Sequence, residues 1–90
     1  HPTKPLMLWE FGSTEDPAVP GRKADWLRNA EALFKSPGYE QYKVVLTWEG
    51  RNYTGTRNCN FDYNSSSSAR SAWVAMGRDP AYSASTVPGF

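Results

Sequence analysis

Glu10 stands where a side chain can do chemistry: a carboxylate directly after four apolar residues, Leu6, Met7, Leu8 and Trp9. An ionised carboxylate held at the mouth of a strand can serve as a nucleophile or a base. It can equally mark the point where a strand reaches water and pairs with a surface cation. The pattern recurs at residues 42–49, YKVVLTWE, where Trp48 and Glu49 again close an apolar run. A tryptophan there offers a flat apolar face for stacking, or it is a core residue. Downstream, Tyr53, Asn60, Asp62 and Tyr63 carry groups able to hydrogen-bond hydroxyls, as any solvated loop would.

The elements that must hold these residues are readable from apolar spacing. Residues 6–9 and 42–49 are apolar runs with little alternation, the form of strands covered on both faces in parallel sheets. Between them, residues 22–36 place Trp26, Leu27, Ala30, Leu33 and Phe34 on one helical stripe. Ser36, Pro37 and Gly38 end that helix. Residues 50–64 are polar with no clear period and are expected to be a loop. Four serines at 65–68 are N-cap candidates for a second helix. There Ala69, Ala72, Trp73 and Met76 recur at helical spacing, Gly77 is the expected C′ residue, and Asp79-Pro80 follows. Residues 83–90 are expected to be a weakly ordered tail.

The order is β-α-β-α, which implies an α/β fold with parallel strands joined by crossovers. Two strands are fewer than an independent sheet needs, so residues 1–90 are expected to be a single segment of a larger α/β sheet or barrel. In a barrel of eight such units, active sites lie on the loops at the C-terminal strand ends. Glu10 and Trp48-Glu49 both fall there. Strand parity turns Trp9 away from Glu10 and toward the helices. Trp26 and Trp73, on helical stripes, are expected in the core.

Composition narrows the class. Ninety residues, 39% hydrophobic and 14% aromatic, suit one small globular domain. Ten basic and nine acidic residues, without a run of either sign, carry no electrostatic footprint for nucleic acid or an anionic membrane. No apolar run approaches the roughly 18–20 residues of a membrane span. Cys59 is the sole cysteine, which excludes an internal disulfide and a cysteine-based metal cluster. No cofactor is implied. The chain opens on His1-Pro2-Thr3 and reads as a processed product or part of something longer. Asn52-Tyr53-Thr54 and Asn64-Ser65-Ser66 match the glycosylation acceptor pattern.

From Lys4 to Tyr82 the chain resembles a known family. The stretches KPLMLWEFGS, GRKADWLRNAEALFKSPGYEQYKVVLTWE and FDYNSSSSARSAWVAMGRDPAY resemble the last two βα units of glycoside hydrolase family 26. These are clan A barrels that include β-mannanases. The most specific elements are the Glu-Phe-Gly strand end, the Lys-x-x-Trp helix and the second strand ending in Trp. The resemblance implies the last quarter of a (β/α)8 barrel, a retaining mechanism, and a secreted or extracellular setting. It implies Glu10 as nucleophile and Trp48 as a sugar platform, with the general acid/base glutamate on an upstream strand outside this sequence. Glu49 departs from the family pattern. With Tyr53 it is a further candidate for substrate contact. Neighbouring strands lie about 4.8 Å apart, near the roughly 5–5.5 Å that separates the carboxylates of a retaining glycosidase.

Two functions follow as expectations. One is the C-terminal part of a glycoside hydrolase acting on β-linked, mannan-like polysaccharide, completed by the rest of the barrel. The other is a non-catalytic carbohydrate-binding or structural module of a cell-surface or virion assembly, its sheet edges covered by other chains. A third, less demanding reading is an independent small α/β domain.

Overall fold

The computed structural model of the chain describes the backbone at residues 4–54 and 57–82, and side chains at 4–50 and 60–82. Strand β1, Leu6–Phe11, pairs in parallel with β2, Tyr42–Thr47, and helix α1, Arg22–Phe34, crosses between them. An antiparallel hairpin follows, β3 (Arg51–Thr54) with β4 (Arg57–Asn60). Helix α2, Ser67–Gly77, and a single 3-10 turn, Pro80–Tyr82, complete the order. This is a small α/β domain with two parallel strands and two helices.

Its core lies between the sheet and the helix pair. Phe11, Ala24, Leu27 and Ala72 are buried there, with Leu8, Ala30, Phe34, Val45 and Trp73 packed around them. Phe11 is the hub. Its ring stacks on Trp26 at 4.8 Å and lies 5.9 Å from Phe34 and 6.1 Å from Trp73. Offset aromatic contacts at these separations stabilise beyond the area they bury.

Helix boundaries follow from local chemistry. Gly21 caps α1 at φ 87°, a left-handed conformation that disfavours any residue with a Cβ. Arg22 Nη1 reaches Asp16 Oδ2 at 2.8 Å, and this pairing holds the Asp16 carboxyl below its ordinary pKa. Ser66 caps α2, its Oγ accepting from Ala69 N–H at 3.1 Å. The expected serine cap is therefore present.

Five expectations need correction. β1 runs two residues past Trp9, through Glu10 to Phe11. Trp9 is not in the helix-facing layer; it is 68% exposed. The register explains why. Leu8 pairs with Val45 and Phe11 with Thr47, so β1 takes three steps where β2 takes two. That bulge resets the parity and turns Leu8 and Phe11 inward. The stripe of α1 is also split. Leu27 is buried, whereas Trp26, though stacked on Phe11, is 39% and Leu33 47% exposed. Residues 50–64 are not a plain loop, since they contain the β3–β4 hairpin. Finally, Gly77 is the last helical residue, and Arg78 takes the C-cap in a right-handed conformation.

One face of the sheet stays open. Met7, Trp9, Val44 and Leu46 are all exposed, and Met7 and Val44 are register partners across the two strands.

Candidate functional site

The two parallel strands deliver Glu10 and Trp48 to one place. β1 ends at Phe11 and β2 at Thr47, and Trp48 N–H donates to the Phe11 carbonyl at 2.8 Å, locking the two strand ends together. A cleft of about 220 Å³ opens there, lined by Glu10, Phe11, Gly12, Trp48 and Phe61. Glu10 is exposed, and Trp48 is 48% exposed. Phe61 arrives from the far side of the hairpin, where its N–H donates to the Gly50 carbonyl at 2.9 Å.

Gly50 bears on the indole. A Cβ at that position would lie 3.2 Å from Trp48 Nε1, so the ring rests against bare backbone. The platform thus owes its resting place to a missing side chain. Beside Gly12, Ser13 Oγ is buried without a hydrogen-bond partner among the described residues.

Glu49 takes a different role from Glu10. Its Oε1 accepts the Tyr63 N–H at 3.1 Å, with Thr47 Oγ1 a more distant 3.4 Å away. It is not among the residues lining the cleft. The carboxylate pins the segment after the hairpin. Tyr53 lies on β3, and its side chain falls outside the described residues, as does that of Cys59. The tail at 83–90 also lies outside them.

Lys23 enters the sequence reading only as the first residue of the Lys-x-x-Trp pattern, with no role read for it. It is 3% exposed, the sole buried charged side chain among the described residues. Its Nζ donates to the Asp62 carbonyl at 2.7 Å and to Ser65 Oγ at 2.8 Å. Ser65 Oγ in turn donates to Glu15 Oε1 at 2.7 Å. Burial lowers the Lys23 pKa, while the negative charges of Glu15, Glu49 and Asp62 act to raise it. A signal for it exists in the sequence. Lys23 precedes Leu27 by four, so it shares the stripe of Leu27, Ala30 and Phe34 and must enter the interior.

Chemically, the cleft brings together one carboxylate, three aromatic residues and the Gly12 backbone. Such a site can accept a ring with an apolar face and place a carboxylate oxygen beside it. Among the described residues, no group of three or more His, Cys, Asp or Glu could hold a metal ion. No described helix is long and apolar enough to cross a membrane. No family model, curated protein or solved structure matches the chain.

Proposed function

We propose that the chain forms the C-terminal part of a retaining glycoside hydrolase acting on a β-linked, mannan-like polysaccharide. One observation carries this reading: Glu10 and Trp48, from the ends of adjacent parallel strands, line a single cleft. In the proposed mechanism the Trp48 indole stacks on the apolar face of a pyranose and presents its anomeric carbon to Glu10. The carboxylate attacks, the glycosidic C–O bond breaks, and a covalent glycosyl ester forms on Glu10. Water then releases the sugar with net retention. The departing oxygen needs a proton from a second carboxyl group, and among the described residues the cleft lining contains none besides Glu10. In this reading the acid/base comes from further βα units, which also supply the missing cover over the open sheet face.

That absence also favours a second reading, a non-catalytic carbohydrate-binding module. Trp48 and Phe61 suffice for stacking, and binding then makes no demand on Glu10.

A 2-deoxy-2-fluoro-mannosyl fluoride separates the two. Its fluoride leaves without a proton donor, and its C2 fluorine slows release of the ester, so a nucleophile is trapped even without the general acid. Peptide mass spectrometry should find the adduct on Glu10 and none in Glu10→Gln. Manno-oligosaccharide binding with no adduct in either protein would move the assignment to the binding module.

A further inference from the structure

The walls of the cleft come from two segments that the parallel strands alone do not hold together. Trp48 follows β2, and Phe61 follows the hairpin. Lys23 ties the Phe61 side of the cleft to helix α1. Its Nζ grips the carbonyl of Asp62, the residue after Phe61, and the hydroxyl of Ser65 three residues on. Through Ser65 it reaches Glu15 in the segment that follows β1. The same stretch is fixed from the other side, where Glu49, next to Trp48, accepts the Tyr63 N–H. An ammonium is suited to this role because it offers three donors on a compact charge. A methionine of similar length would leave the Asp62 carbonyl and the Ser65 hydroxyl without the donor that Lys23 supplies.

Building on the cleft as a sugar site, we infer that Lys23 is a positioning residue: it sets the gap between the Phe61 ring and the Trp48 indole. It touches no substrate. It acts through Asp62 and Ser65, and the width of the cleft follows from this two-point grip. Glu49 is part of the same frame, which accounts for a strand-end glutamate that does not line the cleft.

The test uses the full chain carrying 5-fluorotryptophan, read by 19F NMR, with Trp48→Phe assigning the Trp48 resonance. In Lys23→Met the Trp48 resonance should move while those of Trp26 and Trp73, in the aromatic cluster around Phe11, stay in place. If all of them move together, or if the Trp48 resonance stays put in a folded Lys23→Met, Lys23 is a general fold stabiliser and the inference falls. Should Lys23→Met fail to fold, Ser65→Ala decides by the same criterion, because it removes one link and leaves the α1 stripe whole. A β-1,4-linked mannohexaose titration of the unsubstituted chain keeps the readings apart. An unresponsive Trp48 resonance there overturns the sugar assignment, while the Lys23 result stands on the sugar-free spectra.

Discussion

Phe11 concentrates the residue-scale physics of this chain. It is 7% exposed, and its ring contacts Trp26, Phe34 and Trp73 together. It is also one of the residues lining the cleft, so the core and the site share it. Truncating a buried phenylalanine removes its transfer free energy and leaves a cavity, at a cost of about 3–5 kcal/mol. That is a large part of the about 5–15 kcal/mol that holds a whole domain. Phe11→Ala should therefore shift the urea midpoint strongly downward or abolish cooperative unfolding, followed by tryptophan fluorescence. A loss below about 1 kcal/mol would mean that the aromatic cluster is not a true core. Glu10, one residue earlier, stays in water. Its replacement by Gln should leave that midpoint nearly unchanged, whatever it does to chemistry.

Among the elements, α2 is the most clearly specified. Its first turn is satisfied by Ser66 Oγ, and its inner face is Ala69, Ala72 and Met76, all buried against the core and α1. Ser66→Ala leaves the Ala69 N–H without its cap and should cost about 0.5–2 kcal/mol. Denaturant unfolding of this variant beside Ser67→Ala, an exposed neighbour inside the helix, checks it. Equal losses would show that the cap contributes nothing specific. The hairpin is the least obvious element in the sequence. Two residues, Gly55 and Thr56, separate its paired ends Thr54 and Arg57, a length and a leading glycine that favour tight hairpin turns. The signal was present, but Arg and Asn along β3 and β4 hide it, because they lack the apolar alternation of a half-buried strand.

At the scale of the whole molecule, two features decide behaviour. The first is a tie between the helix ends. Lys35 Nζ meets Asp79 Oδ2 at 2.6 Å and Glu31 Oε1 at 3.9 Å, so Asp79 is the principal ionised partner. Lys35 holds the Asp79 carboxyl down at about 2, from an ordinary 3.8. A depressed carboxylate stabilises the fold above its unfolded value and loses that contribution as pH falls through the folded one. Lys35, raised above 10.5 chiefly by Asp79, contributes below that value and loses its share as pH rises further. Glu31, raised by burial and by Asp79, runs the other way, with its contribution lost as pH climbs past 4.5. Lys35→Met should thus melt below the unsubstituted chain near neutral pH. The gap should close as pH drops from about 3.8 toward about 2, read by circular dichroism across an acid series. A gap independent of pH would place the contribution in the packing of the Lys35 stem.

The second feature is the open sheet face with Met7, Trp9, Val44 and Leu46 exposed. Parallel sheets are ordinarily covered on both faces. Native mass spectrometry of the protein from its source should therefore find the 10.1 kDa chain within a larger species. About 30 kDa or more is the size of a roughly 250-residue barrel. A stable monomer would remove the barrel reading and leave a small α/β domain.

Spacing in the sequence was enough to read the two parallel strands, the two helices and the serine cap, and to put Glu10 and Trp48 at strand ends, but not the hairpin between β2 and α2. These are local or periodic properties: apolar period selects the element, and alternation of strand and helix selects the topology. Tertiary structure alone decided the rest. The β1 bulge turned Trp9 outward and Phe11 inward, because a register is a property of two strands and cannot be read from one. Glu49 became an anchor for Tyr63, and Lys23 became a buried junction. Both outcomes depend on hydrogen-bond partners that stand fourteen to forty-two positions away in the chain and become neighbours only after the sheet and helices have packed.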